Sequence, residues 1–320
     1  MLGFFLALLA TLLHAALTFA AAPFLMGVVT TFRARILGRR GPPFLQSYRH
    51  LYRLLRKTTL VPETATPLFG IWPVVCLLAL GVAALLVPGF CTGMLTAPAG
   101  DFITLIGLLG LARAALVLAG LETGFGFGGA GAQREMLFGV FAEAALLVVL
   151  LSFVLLAHSA TVNGISVAFS TGQIGISVSL GFALAALLAV ALTETGRIPA
   201  DNPSGHLELA MVHEAMILEY SGRYLLMFDY AAMLRLLVWM NLIGAVFLPF
   251  GMARADDLLT WPLGLALWLA KLALMAVCLA VFEISSAKMR VFRVPEFLGV
   301  AMLLGMLASV FLFVAARIGG

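Results

Sequence analysis

The chain has 320 residues, 63% of them apolar and only 11% charged, with a formal net charge of +4. Soluble domains carry roughly a quarter charged residues, so a chain with a mean hydropathy of +1.12 cannot cover a globule with polar surface. This excludes a soluble enzyme, and the apolar runs lack the period-two alternation of an outer-membrane barrel.

The expected fold is all-α: a polytopic integral membrane protein forming one membrane domain over residues 1–320, with amphipathic helices in its cytoplasmic loops. Gaps between charged residues set off eight spans of about 20 residues each. They cover 2–31, 68–88, 103–121, 135–158, 173–193, 224–250, 261–284 and 297–317. The first has no basic segment before its long apolar run, which reads as a retained helix rather than a cleaved signal peptide. It holds His14.

After the first span comes a loop with Arg33, Arg35, Arg39, Arg40, Arg49, Arg53, Arg56 and Lys57. The third span carries Arg113 and ends beside Glu122. "GFGFGG" (124–129) fits the dinucleotide pattern GxGxxG, but that pattern needs a preceding strand. A membrane span precedes it here, so a tight, close-packed re-entrant turn is expected instead. Arg134, Glu135 and Glu143 follow, the last about two turns into the fourth span.

Glu194 closes the fifth span and introduces "RIPADNPSGHLELAMVHEAMILEYSG" (197–222), the most ionisable stretch of the chain. Asn202 and Pro203 suit a helix start, and Tyr220-Ser221-Gly222 a helix end. Arg197, Asp201, His206, Glu208, His213, Glu214 and Glu219, interleaved with Met and Leu, suggest a cytoplasmic helix that lines a cavity or docks on a partner. "HEAMILE" lacks the second His of the zinc motif HExxH, since Ile217 stands in its place, and no metal site is expected.

Charges at membrane depth normally face a bundle interior or wet cavity and mark ion paths. Arg113, Glu143 and Lys271 lie deepest, whereas Asp229 and Arg235 can partly snorkel. Glu122, Glu135, Glu194 and Glu283 fall near span ends. Glu143 is expected to be a protonation site that couples rather than a structural partner, with Arg113 and Lys271 as its candidate neighbours.

Lys and Arg in short loops set orientation. With Lys288, Arg290 and Arg293 after the seventh span, fourteen of the nineteen basic residues fall on one side. Arg254 and Arg317 fall on the other. The basic side is expected to be cytoplasmic, in a bacterial inner membrane, with both termini periplasmic. The three cysteines, Cys76, Cys91 and Cys278, have neither disulfide nor iron–sulfur spacing.

Three segments in order carry a resemblance: "RRGPPFLQSYRHLYRLLRK" (39–57), "ETGRIPADNP" with "EYSG" (194–203, 219–222), and "FEISSAKMRVFRVPEF" (282–297). Through them almost the whole chain resembles the membrane-anchor subunit shared by respiratory complex I, as its subunit 1, and the group 4 membrane-bound nickel–iron hydrogenases. "LETGFGFGGAGAQREM" (121–136) and "HLELAMVHEAMILEYSGR" (206–223) resemble the formate hydrogenlyase and hydrogenase 4 branch. Ser47 and His50 depart from the family pattern. Ser204 and His206 stand where the quinone-reducing branch carries acids.

The resemblance implies a subunit without cofactor of its own. Iron–sulfur clusters and a nickel–iron or degenerate catalytic centre would belong to hydrogenase-like large and small subunits and iron–sulfur proteins docked on it. Antiporter-like membrane subunits would be its lateral partners. Glu122, Glu135 and Glu143 match the region where the family's acidic path enters the membrane. Two alternatives stay open: a quinone-reducing complex I subunit, and a free-standing secondary transporter, for which paired discontinuous helices are missing.

Overall fold

A computed structural model describes residues 2–172, 177–197, 212–286 and 293–318. The chain is helical almost throughout. Its helices are α1 (Leu2–Ile36), α2 (Gln46–Arg56), α3 (Ile71–Leu86), α4 (Phe102–Glu122), α5 (Gly126–Ala157) and α6 (Val162–Ser170). They continue with α7 (Val178–Glu194), α8 (His213–Ile217), α9 (Gly222–Phe247), α10 (Trp261–Ser285) and α11 (Val294–Ile318). Two residue pairs, β1 (Cys91–Thr92) and β2 (Ala253–Arg254), join in parallel register.

Seven helical stretches among the described residues, α1, α3, α4, α5, α9, α10 and α11, are long and apolar enough to cross a bilayer. The apolar helix α7 has 17 residues, about 25 Å, at the lower limit for a span. Eight is therefore an approximate count. α9 is the central helix: sixteen of its residues, from Gly222 to Val246, are buried. Helices α1, α2, α3, α6, α7 and α10 pack against it, while α11 packs on α5 and α7 and exposes apolar flanks such as Leu303, Val310 and Phe313.

The basic loops gather at one end of the bundle. After α1 the chain folds back, with Thr31 Oγ1 donating to Pro42 O at 2.8 Å. It then enters α2, an amphipathic helix that lies against α1 and α9. Tyr48 on α2 donates to Ala20 O of α1, and Leu60 N donates to Ser221 Oγ at 2.8 Å just ahead of α9. At the other end, β1, β2 and α6 close the bundle, with Val162 N donating to Gly100 O at 3.0 Å. Helix α6 was not expected from charge gaps, because its nine residues are bounded by polar rather than charged positions.

The "GFGFGG" stretch is a helix start rather than a re-entrant turn. Gly124 turns the chain with a φ of +66°, a conformation glycine adopts without strain. α5 begins at Gly126, nine residues earlier than the charge at Glu135 suggested. A Cβ on Gly128 would collide with the Gly120 carbonyl of α4, and one on Gly131 would come 2.8 Å from Val212 O ahead of α8. These small residues let backbones of three helices approach.

Gly128→Val is therefore expected to destabilise the fold by about 1–3 kcal/mol. Gly129→Ala, with nothing within 4 Å of its Cβ, is expected to be neutral or to stabilise by up to about 1 kcal/mol. Thermal aggregation of the detergent-solubilised protein separates the two. Equal effects would contradict close approach at Gly128.

Candidate functional site: one buried arginine among three glutamates

Arg113 projects from α4 into the bundle and is only 6% exposed. The slot it occupies is made by glycine. Gly139 lies on α5 one turn from both Glu135 and Glu143, and a Cβ there would come 2.9 Å from Arg113 Cδ. Residues at this spacing share one helix stripe, so α5 presents carboxylate, gap, carboxylate to a single guanidinium. Gly110 on α4 leaves corresponding room for the Glu143 carboxylate.

Each guanidinium nitrogen faces a different acid. Arg113 Nη1 donates to Glu143 Oε1 at 3.0 Å, and Nη2 donates to Glu194, the last residue of α7. Nε lies 3.6 Å from Glu135 Oε1, an ion pair just beyond hydrogen-bond length. Arg235 of α9, buried beside Cys76, donates Nη1 to the Glu194 carbonyl at 3.4 Å. A charge without a partner would be costly at this depth; here Arg113 stands against three carboxylates, while Arg235 has the Glu194 carbonyl as its hydrogen-bond acceptor.

The set has two outlets. Toward the basic end, Glu135 Oε2 lies 3.5 Å from His213 Nε2 of α8, and Glu214 beside it is exposed. Laterally, the Glu143 side chain is 42% exposed. It sits on an α5 stripe with Met136, Val140, Leu147 and Leu151, all exposed and apolar. A carboxylate on such a stripe at mid-helix would be costly to leave against hydrocarbon.

The other expected residues lie elsewhere. Glu122 is at the rim, accepting from Thr66 N and Trp72 Nε1, both at 3.1 Å. Beside it Tyr220 stacks on Phe69 at 4.1 Å; burial, then Glu122, hold its phenol above the ordinary value. Arg197 donates to Glu283 Oε1 at 2.8 Å and to Met26 Sδ at 2.8 Å. Glu283 also pairs with Arg33 at 3.3 Å, tying α1, α7 and α10 together. Glu219 is half-buried in the turn after α8. Asp201, His206 and Glu208, with the helix start at Asn202 and Pro203, lie outside the described residues.

Lys271 is not a neighbour of Glu143. Its ammonium donates to Leu248 O and Phe250 O, each at 2.5 Å, just past the end of α9. There a cation meets the unpaired carbonyls and negative dipole end of a helix. Asp229, partly exposed, pairs with His50 Nε2 of α2 at 2.9 Å. The sequence departure at His50 thus carries a contact of its own. Sequence reasoning undervalued Arg235 and missed Gly139, whose only signal was the spacing of Glu135, Gly139 and Glu143.

Comparisons with known proteins agree with this architecture. A family model described as NADH dehydrogenase matches residues 8–314. The chain is 32% identical over 300 residues to hydrogenase-4 component C of Escherichia coli (strain K12), covering 94% of each. It is 31% identical over 285 residues to formate hydrogenlyase subunit 4 of the same organism, covering 89% of this chain and 92% of that one. A chain in the structure of the membrane-bound sulfane sulfur reductase, an archaeal respiratory membrane complex, shares the fold with a TM-score of 0.74 at 18% identity. That match covers 95% of this chain and 99% of the other. The chain belongs to the NADH dehydrogenase family, the complex I subunit 1-like membrane proteins.

Proposed function

We propose that the chain anchors a peripheral redox arm in the inner membrane and couples its chemistry to proton movement in neighbouring membrane subunits, within a hydrogenase of the formate hydrogenlyase or hydrogenase-4 kind. The observation that carries this reading is the Arg113 set, which runs from His213 at the basic end to Glu143 on the lateral face. Glu135, Glu143 and Glu194 address one guanidinium, so its charge compensates whichever is ionised. A proton entering by His213 and Glu135 can be handed on to Glu143 while the buried charge stays balanced.

On this reading the arm docks on the basic end, where α2, α8 and the loops around them lie, and an antiporter-like subunit covers the α5 stripe. The basic end faces the cytoplasm by the positive-inside rule, leaving both termini periplasmic. The redox centres belong to hydrogenase-like and iron–sulfur partner subunits. The chain's own cysteines are scattered over α3, β1 and α10.

Membranes solubilised gently are expected to release the chain together with soluble subunits that carry iron–sulfur clusters, because a permanent interface is large and apolar. Stripped of them, the chain is expected to aggregate. A stable, monodisperse chain without such subunits would contradict docking.

A further inference from the structure

A cleft of about 530 Å³ opens on the flank of the bundle between α7, α10 and α11, with Trp239 of α9 as its floor. Its walls are almost wholly apolar, among them Cys278 and Phe282 of α10 and Phe297 and Leu304 of α11. The wall segments of α7, α10 and α11 lie toward the basic end of those helices. Leu236, Met240 and Ile243 come from the second half of α9, which lies level with the end of α7 where Arg235 meets the Glu194 carbonyl.

Depth bears on what fills it. On α7 the cleft runs from Ala185 to Thr195, about 15 Å of helix. The bilayer core is about 30 Å thick, so the cleft is one leaflet deep and a spanning helix would not be held along its length. A hydrocarbon chain fits, entering from the bilayer with which the cleft is continuous.

The end nearest the basic loops has one exposed cation close by, with Glu296 of α11 also exposed beside it. Phe297, Ala301 and Leu304 face the cleft from one stripe of α11. One turn toward the basic end on that stripe stands Arg293, exposed. Basic groups at the ends of clefts between membrane helices hold anionic headgroups.

We infer that this cleft is a binding site for one anionic phospholipid of the leaflet at the basic end, its acyl chain between α10 and α11 and its phosphate at Arg293. The cleft borders the Arg113 set, since Thr195 and Leu236 line it next to Glu194 and Arg235, but the inference does not depend on how that set works.

The protein, purified with its associated subunits, is placed in phosphatidylcholine vesicles doped with photoreactive phosphatidylglycerol or photoreactive phosphatidylcholine. Adducts are mapped by mass spectrometry. They are expected on the cleft segments 275–282 and 297–304, with phosphatidylglycerol favoured about fivefold for one basic contact. Arg293→Gln is expected to remove the preference while leaving the adducts. Ala189→Trp, at a half-buried wall position, is expected to remove the adducts. No adducts on these segments, equal labelling by both headgroups, or labelling unchanged by Ala189→Trp would each overturn the inference.

Discussion

Replacing Arg113 with leucine is expected to cost the protein about 3–5 kcal/mol, because it leaves buried carboxylates without their counter-charge. Glu135 and Glu194 have side chains only 5% and 6% exposed, so water cannot take over from the guanidinium. The loss is comparable with the whole stability of many domains, and the variant is expected to accumulate poorly in membranes and to aggregate at lower temperature. Arg113→Lys is expected to fall between, since a single ammonium cannot address three carboxylates in the fork arrangement of a guanidinium. Adding Glu194→Gln to Arg113→Leu is expected to recover part of the loss, because it removes one unpaired charge. Wild-type abundance and thermal behaviour in Arg113→Leu would mean that the carboxylates do not depend on this cation.

The spans were legible because long apolar runs bounded by charges leave little choice inside a bilayer. Where the reading slipped, the reason is physical. Glu135 was taken for the start of a span because charges usually sit in water; here Arg113 pairs with it, and α5 begins at Gly126. Glycines in "GFGFGG" imitate a phosphate loop because both need backbones without Cβ atoms close by. Only the approach of Gly128 to Gly120 shows which use is made of them.

Pairings across the fold were less legible than the residues that make them. Arg113, Glu135, Glu143, Glu194 and His213 stand out singly as ionisable groups in apolar surroundings, and they do converge. Nothing local distinguishes them from Lys271, which is just as deep yet serves the end of α9. Helix rotation and crossing decide which charges meet, and no single-helix pattern encodes them. His50 and Asp229 are 179 positions apart in the chain, and the contact depends on how α2 lies against α9.

The proton-coupling claim rests most directly on Glu143. Its carboxylate touches Arg113 at 3.0 Å yet is exposed on the α5 stripe, so in the proposed mechanism it is the member of the set that hands a proton to a neighbouring subunit. Glu143→Gln keeps the size and the acceptor oxygen facing Arg113 while removing the titration. The measurement is proton uptake by sealed membrane vesicles carrying the variant, driven through the redox arm, alongside electron transfer to an artificial dye. The account predicts an assembled complex with near-normal dye reduction and no redox-driven proton uptake. Proton uptake at the wild-type rate in the assembled Glu143→Gln complex would contradict it.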